Sequence, residues 1–71
     1  MGKSIELSTG VTVEMREPKV KDMRLVRDIK DEEDRSIKLI ANLTMMSESE
    51  INELSMKDYK KLQDAFEGFL S

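Results

Sequence analysis

The sequence has no cysteine, no histidine and no tryptophan; it has one proline, three glycines, one tyrosine and two phenylalanines in 71 residues. The missing cysteine excludes disulfides and thiolate metal sites as braces for the fold. With histidine also missing, Ser-His-Asp and Cys-His catalytic machinery and zinc fingers are excluded. No run approaches the roughly 18 apolar residues a membrane-spanning helix needs. The opening Met1-Gly2-Lys3-Ser4-Ile5-Glu6 alternates in charge too early for a secretory leader, so an intracellular, soluble and unprocessed protein is expected.

What is present is balanced between core and surface. Hydrophobic residues make up 38% and charged residues 38%, enough apolar material for one modest core and too much for a disordered tail. A chain this short gains only about 3–5 kcal/mol from its own core. Net charge is -3 and unevenly spread. Residues 16–30 carry six basic groups against three acidic ones, and residues 31–71 carry five against ten. The basic stretch could touch phosphate. A solvated helix face that balances the acidic half explains it better, because nucleic-acid binders of this size carry a basic excess and stacking aromatics.

Along the chain, Ile5 and Leu7, then Val11, Val13 and Met15, alternate with polar residues. Period two marks half-buried strands, and Gly10 suits the reversal between them. Residues 3–7 and 11–16 therefore read as a hairpin, which needs helices to cover its apolar face. Pro18 stops the second strand and suits a first helical turn. Val20, Met23 and Val26 recur every three residues, which predicts a helix over 18–29.

Asp31-Glu32-Glu33-Asp34 invites a metal reading, but a calcium loop needs a Gly at its sharp turn, and none lies between Gly10 and Gly68. Acids in a helix's first turn account for the run, with Asp34 and Lys38 correctly ordered for an i,i+4 pair. In the helix that follows, Ile37, Ile40 and Ala41 share one face and Leu39, Leu43 and Met46 another, so it should be gripped on more than one side. Ser47-x-x-Glu50 is a capping box opening a helix over 48–54. Ser55-x-x-Asp58 repeats the logic before a last helix over 56–70, where Tyr59, Leu62, Phe66, Phe69 and Leu70 form one stripe. Gly68 there marks fraying or a close contact.

The expected fold class is α+β, mostly α: a short N-terminal β-hairpin (3–16) followed by three to four short helices in a helical region (18–70), all one domain over 1–71. No phosphate loop, nucleophile elbow or metal-ligand spacing appears, and the carboxylates sit at solvated helix ends and faces. The residues point to a binding protein without a cofactor, and enzyme activity is not expected. Six methionines are the most suggestive feature. Met side chains fill core gaps or line adaptable binding surfaces, and adjacent Met45 and Met46 cannot easily both be buried in a thin domain.

Several segments carry a family resemblance. Arg16-Glu17-Pro18-Lys19-Val20-Lys21-Asp22-Met23 resembles the R-x-P-K-V-x-D-hydrophobic signature of Mu-like phage tail assembly chaperones, the small E-type tail proteins. Leu39-Ile40-Ala41-Asn42-Leu43-Thr44 resembles their LIAxLTG stretch, with Met45 standing where a Gly is common. Ser47 through Leu54 and Met56 through Gln63 resemble LSxEEIDEL and L-x-x-DYxxLQ, and Phe66-Glu67-Gly68-Phe69-Leu70 fits the close. The blocks occur in the family's order over residues 16–70.

The resemblance implies a non-enzymatic chaperone that binds the tape-measure protein in the host cytoplasm before the tail tube encloses it, and that is absent from the finished virion. Self-association is compatible with it, and families of this kind often make a longer frameshifted form. Leu39, Met45, Met46, Phe69 and Leu70 are the candidate partner-binding residues. A small regulator or adaptor that binds nucleic acid through residues 16–30, or a minor structural tail protein, are the alternatives.

Overall fold

A computed structural model describes residues 2–70. Two strands, β1 (Lys3–Glu6) and β2 (Thr12–Met15), precede four helices: α1 (Val20–Val26), α2 (Glu32–Thr44), α3 (Glu48–Asn52) and α4 (Met56–Leu70). The α+β class and the hairpin-then-helices order follow the sequence expectation. Each strand is slightly shorter than its alternating run.

The strands pair antiparallel, with Ile5 opposite Val13 and Lys3 opposite Met15. Gly10 closes the reversal at φ 90°, where an L side chain would be strained. Alternation then sorts the hairpin. Leu7, Val13 and Met15 are buried and Ile5 half-buried, while Ser4, Glu6, Thr12 and Glu14 face solvent. The core is completed by Val26, Leu39, Ile40, Ala41, Leu43, Ile51 and Leu62. Four of these belong to α2, which packs against β2, α1, α3 and α4. Its wide apolar arc is thus gripped on several sides, as the residue pattern requires.

Helix starts are built from the chain's short polar residues. The Asp31 carboxylate accepts from Asp34 N at 3.0 Å, so the acidic run caps α2 and lies along its first turn. Lys38 ends closest to Glu48, Nζ to Oε2 at 3.4 Å, an ion pair between helices. Ser47 and Glu50 close a capping box at α3, with Glu50 N donating to Ser47 Oγ at 3.1 Å and Ser47 N to Glu50 Oε1 at 2.8 Å. Ser55 Oγ likewise accepts from Asp58 N at 3.2 Å.

The α1 stripe differs from expectation. The helix is shorter than 18–29, and only Val26 of the Val20/Met23/Val26 series is buried, with Val20 77% exposed. The inward face is Asp22 with Val26, one turn apart. Asp22 decides it. Arg16 forks onto its carboxylate, Nη1 to Oδ2 at 2.8 Å and Nη2 to Oδ1 at 2.7 Å. Lys19 N donates to the same Oδ2 at 2.8 Å, and Asp22 N returns a bond to Lys19 O at 2.9 Å. A buried carboxylate must keep its donors, so the helix turns to serve it and leaves Val20 and Met23 outside.

A second buried acid, Asp58, ties α4 to the hairpin turn. It accepts from Ser8 N and Ser8 Oγ, both at 2.9 Å. At the far end of α4, Lys3 donates to Ala65 O at 3.1 Å and lies 4.5 Å from the Phe69 ring centre. A Cβ at Gly68 would collide with the Lys3 ammonium, so that glycine marks a close contact.

Met45 ends α2 in the left-handed region, φ 64° and ψ 18°. That conformation costs an L residue with a Cβ about 1–2 kcal/mol. Met45→Gly removes this strain and should raise unfolding stability by about 1 kcal/mol. A urea midpoint that shifts upward with unchanged slope would show it; an unchanged or lowered midpoint would contradict it.

Acid sensitivity follows from the two buried carboxylates. The Arg16 fork, opposed by burial and helped by Lys19 N–H, holds Asp22 down to about 2, below the ordinary 3.8. The Ser8 N–H, opposed by burial and helped by the Ser8 hydroxyl, also holds Asp58 below its ordinary value. Both shifts are downward, so their stabilisation is complete above the ordinary carboxylate range and is lost as pH falls through the folded values. Stability should decline between about pH 4 and pH 2. Asp22→Asn should lower stability at neutral pH by about 1–3 kcal/mol and flatten that decline, measured by urea unfolding at stepped pH. An undiminished acid slope in the variant would remove Asp22 as its source.

Candidate functional site

The hairpin and α3 leave a shallow groove of about 600 Å³ between them. Its apolar lining comes from Leu7, Val11 and Val13 of the hairpin, Met46 after α2, and Leu54 after α3. Glu14, Glu50 and Glu53 put carboxylates at its margin. A capping box positions one wall: Ser47 and Glu50 start α3 immediately after the left-handed turn at Met45. The other wall is β2 with the residue before it: Val11, Thr12, Val13 and Glu14, four in a row, all line the groove. Consecutive strand residues point to opposite faces, so a groove that touches all four runs along the strand's edge.

A second concave surface of about 420 Å³ lies on α1, where Val20, Met23, Arg24 and Arg27 meet Arg35 of α2. It is apolar with a basic margin. This is where the unburied part of the Val20/Met23 series and the basic stretch come together.

The five candidate partner-binding residues are dispersed by the fold. Leu39 is 4% exposed and packs in the core, so its side chain offers nothing to a partner in this conformation. The reason is the second apolar face of α2, where Leu39 and Leu43 lie inside and only Met46 reaches the surface. Met45 is 89% exposed at the helix end. Met46 is half-buried and lines the groove. Phe69 is half-buried beneath the Lys3 ammonium, and Leu70 is 63% exposed beside it in the last turn of α4. Met45 and Met46 therefore stand at the groove end of α2, and Phe69 and Leu70 belong to a separate patch.

Leu7, Val11, Val13 and Leu54 were not among the candidates. In sequence they are ordinary strand and helix-end hydrophobics. Only Val11 carried a signal, as an apolar residue beside the turn with nothing local to cover it, and it is 56% exposed.

Among the described residues no group of acidic side chains is arranged to hold a metal ion. Nor, among the described residues, is any helix long and apolar enough to cross a membrane. Both of these concave surfaces are open, apolar in lining and charged at the margin, a combination that suits the class of protein-binding domains. The family comparison gives this class a specific home. The family model for phage tail assembly chaperone proteins, E, or 41 or 14, matches residues 3–71. The chain belongs to that family, and its work lies in phage tail assembly. None of the curated proteins or solved structures compared with the chain matches it.

The matched span gives the R-x-P-K-V-x-D signature a physical meaning. Arg16 and Asp22 are the fork, Pro18 leads into the helix, and the Lys19 backbone completes the carboxylate's shell. The signature is a structural lock. Met45 occupies the one left-handed non-glycine position among the described residues.

Proposed function

We propose that the chain is a non-enzymatic chaperone that binds the tape-measure protein in the host cytoplasm and keeps it soluble until the tail tube encloses it. The observation that carries this is the unspent apolar surface. Val20, Leu25, Met45, Met56 and Leu70 are each more than half exposed in a domain whose core already holds ten buried hydrophobics. Three of the described methionines, Met23, Met45 and Met56, stand among the exposed large hydrophobics. Flexible thioethers on the outside adapt to apolar stripes that differ along a long client. The charged 38% of the chain keeps such a complex dispersed.

The partner surface is then two patches, Met45 with Met46 and Phe69 with Leu70, with Leu39 left to the core. Co-expression with a tape-measure segment and a pull-down tests it. Met45→Glu and Leu70→Glu should each reduce co-purification sharply while far-UV helicity stays at the wild-type level, because both side chains are exposed. Wild-type recovery in both variants would remove these residues from the surface, and failure of the unaltered chain to retain the segment would remove the proposal.

The nucleic-acid alternative, through residues 16–30, draws on Arg24 and Arg27, which with Arg35 line one surface with Val20 and Met23. An apolar centre without an aromatic stacking group suits a polypeptide better than a phosphate backbone. No retention on a nucleic-acid column at low salt is the expected result; salt-dependent retention would favour the alternative.

A further inference from the structure

The two edges of the hairpin are treated differently. In an antiparallel pair, alternate residues turn their backbone N–H and C=O toward the partner strand and the others turn theirs outward. Leu7 N donates to Val11 O at 2.8 Å, so the odd-numbered residues of β2 face β1. Thr12, Glu14 and Arg16 therefore direct their backbone groups to the outer edge. Arg16 confirms the parity, since its N–H leaves the sheet for Leu43 O at 3.0 Å. The outer edge of β1 is guarded, with Lys61 Nζ donating to Glu6 O at 3.2 Å. The outer edge of β2 at Thr12 and Glu14 instead opens into the groove of about 600 Å³ beside α3.

We infer that this edge and groove take an extended polypeptide segment as a third, antiparallel strand of the sheet. The added strand uses the outward N–H and C=O groups of Thr12 and Glu14. Its side chains alternate by necessity. Those on the inner face meet Met46 and Leu54 and are apolar. Those on the outer face lie across from Thr12 and Glu14, near a margin that also carries Glu50 and Glu53, and are Lys or Arg. The stretch from Val11 to Met15 spans roughly 17 Å, bounded by the turn at Gly10 and by the Arg16–Leu43 bond, so the segment is short. Main-chain bonds supply affinity without reading sequence, and the alternation and charge supply selectivity. A client that presents many related segments suits such a site. The inference deepens the proposed function and rests on its reading that the chain holds another polypeptide.

The probe is a short capped peptide of alternating Val and Lys, titrated into the full chain and followed by amide hydrogen exchange and backbone NMR shifts. The Thr12 and Glu14 amides should exchange about ten-fold more slowly when it binds, the scale of one net hydrogen bond. In the added strand the Lys residues turn their backbone toward β2 and the Val residues turn theirs away. N-methylation of the Lys amides should therefore weaken binding by about ten-fold or more, and N-methylation of the Val amides should leave it nearly intact. A Val and Glu peptide should bind more weakly than the Val and Lys one. No binding, equal loss from both methylated peptides, or binding that shifts Met46 and Leu54 while Thr12 and Glu14 exchange unchanged would each overturn strand addition; the last would place a helix in the groove.

Glu14→Pro removes one outward donor and leaves the bonds to β1, as an edge position allows. With its far-UV spectrum preserved, it should lose both the peptide and the tape-measure segment. Loss of the peptide alone overturns this site's role in client binding and leaves the proposed function standing. Peptide binding by a chain that never retains a tape-measure segment supports strand addition and sinks the proposed function instead.

Discussion

The Arg16–Asp22 fork is the constraint around which the molecule is arranged. Asp22 is 1% exposed and sits in a helix of seven residues, too short to be stable by itself. A carboxylate buried there without partners would be intolerable. Arg16 supplies two bonds and the Lys19 backbone a third. Because Arg16 also spends its backbone N–H on Leu43 O, one residue joins the end of β2 to the start of α1 and the end of α2. Three elements that also meet in the apolar core are thereby held in one geometry.

Asp58 performs the corresponding task at the other end of the hairpin. Its bonds to Ser8 cross fifty positions of sequence and pin the turn to the first turn of α4. The hairpin is thus fixed at both ends by buried carboxylates, and Lys3 and Lys61 reach from opposite directions to link β1 with α4. A two-stranded sheet is marginal alone. Anchoring by charge-assisted bonds at the ends lets it stand without a third strand, and this is also why one of its edges can remain open beside α3.

The economy has a consequence for function. Polar anchors that hold a thin domain together free apolar side chains from core duty. Val20 and Met23 lie outside because Asp22 took the inward position of α1. Met45 lies outside because the chain must reverse there, at a positive φ, to start α3 against the groove. Under the proposed function, such a surface is apolar enough to cover a client and charged enough at the margins to let the complex stay dispersed.

The hairpin, its turn, the capping box at α3 and the last helix were legible in the sequence because each depends on neighbours within a few positions: period-two alternation, Gly10, Ser47 with Glu50, the stripe from Tyr59 to Phe69. At Ser55 only half of the expected box forms, because the Asp58 carboxylate turns to Ser8 instead. The breadth of the apolar arc on α2 was legible for the same reason. The inward face of α1 was not, because Asp22 looks like any first-turn acid until Arg16 closes on it. Nor was the burial of Leu39, since a helix with two apolar faces does not declare which is covered. The groove required β2 and α3, some forty residues apart, to lie side by side, and no local pattern encodes that distance. Periodicity and capping chemistry act over one or two turns and are written in the chain itself; which surfaces are left over is decided only when distant elements compete for the same small core.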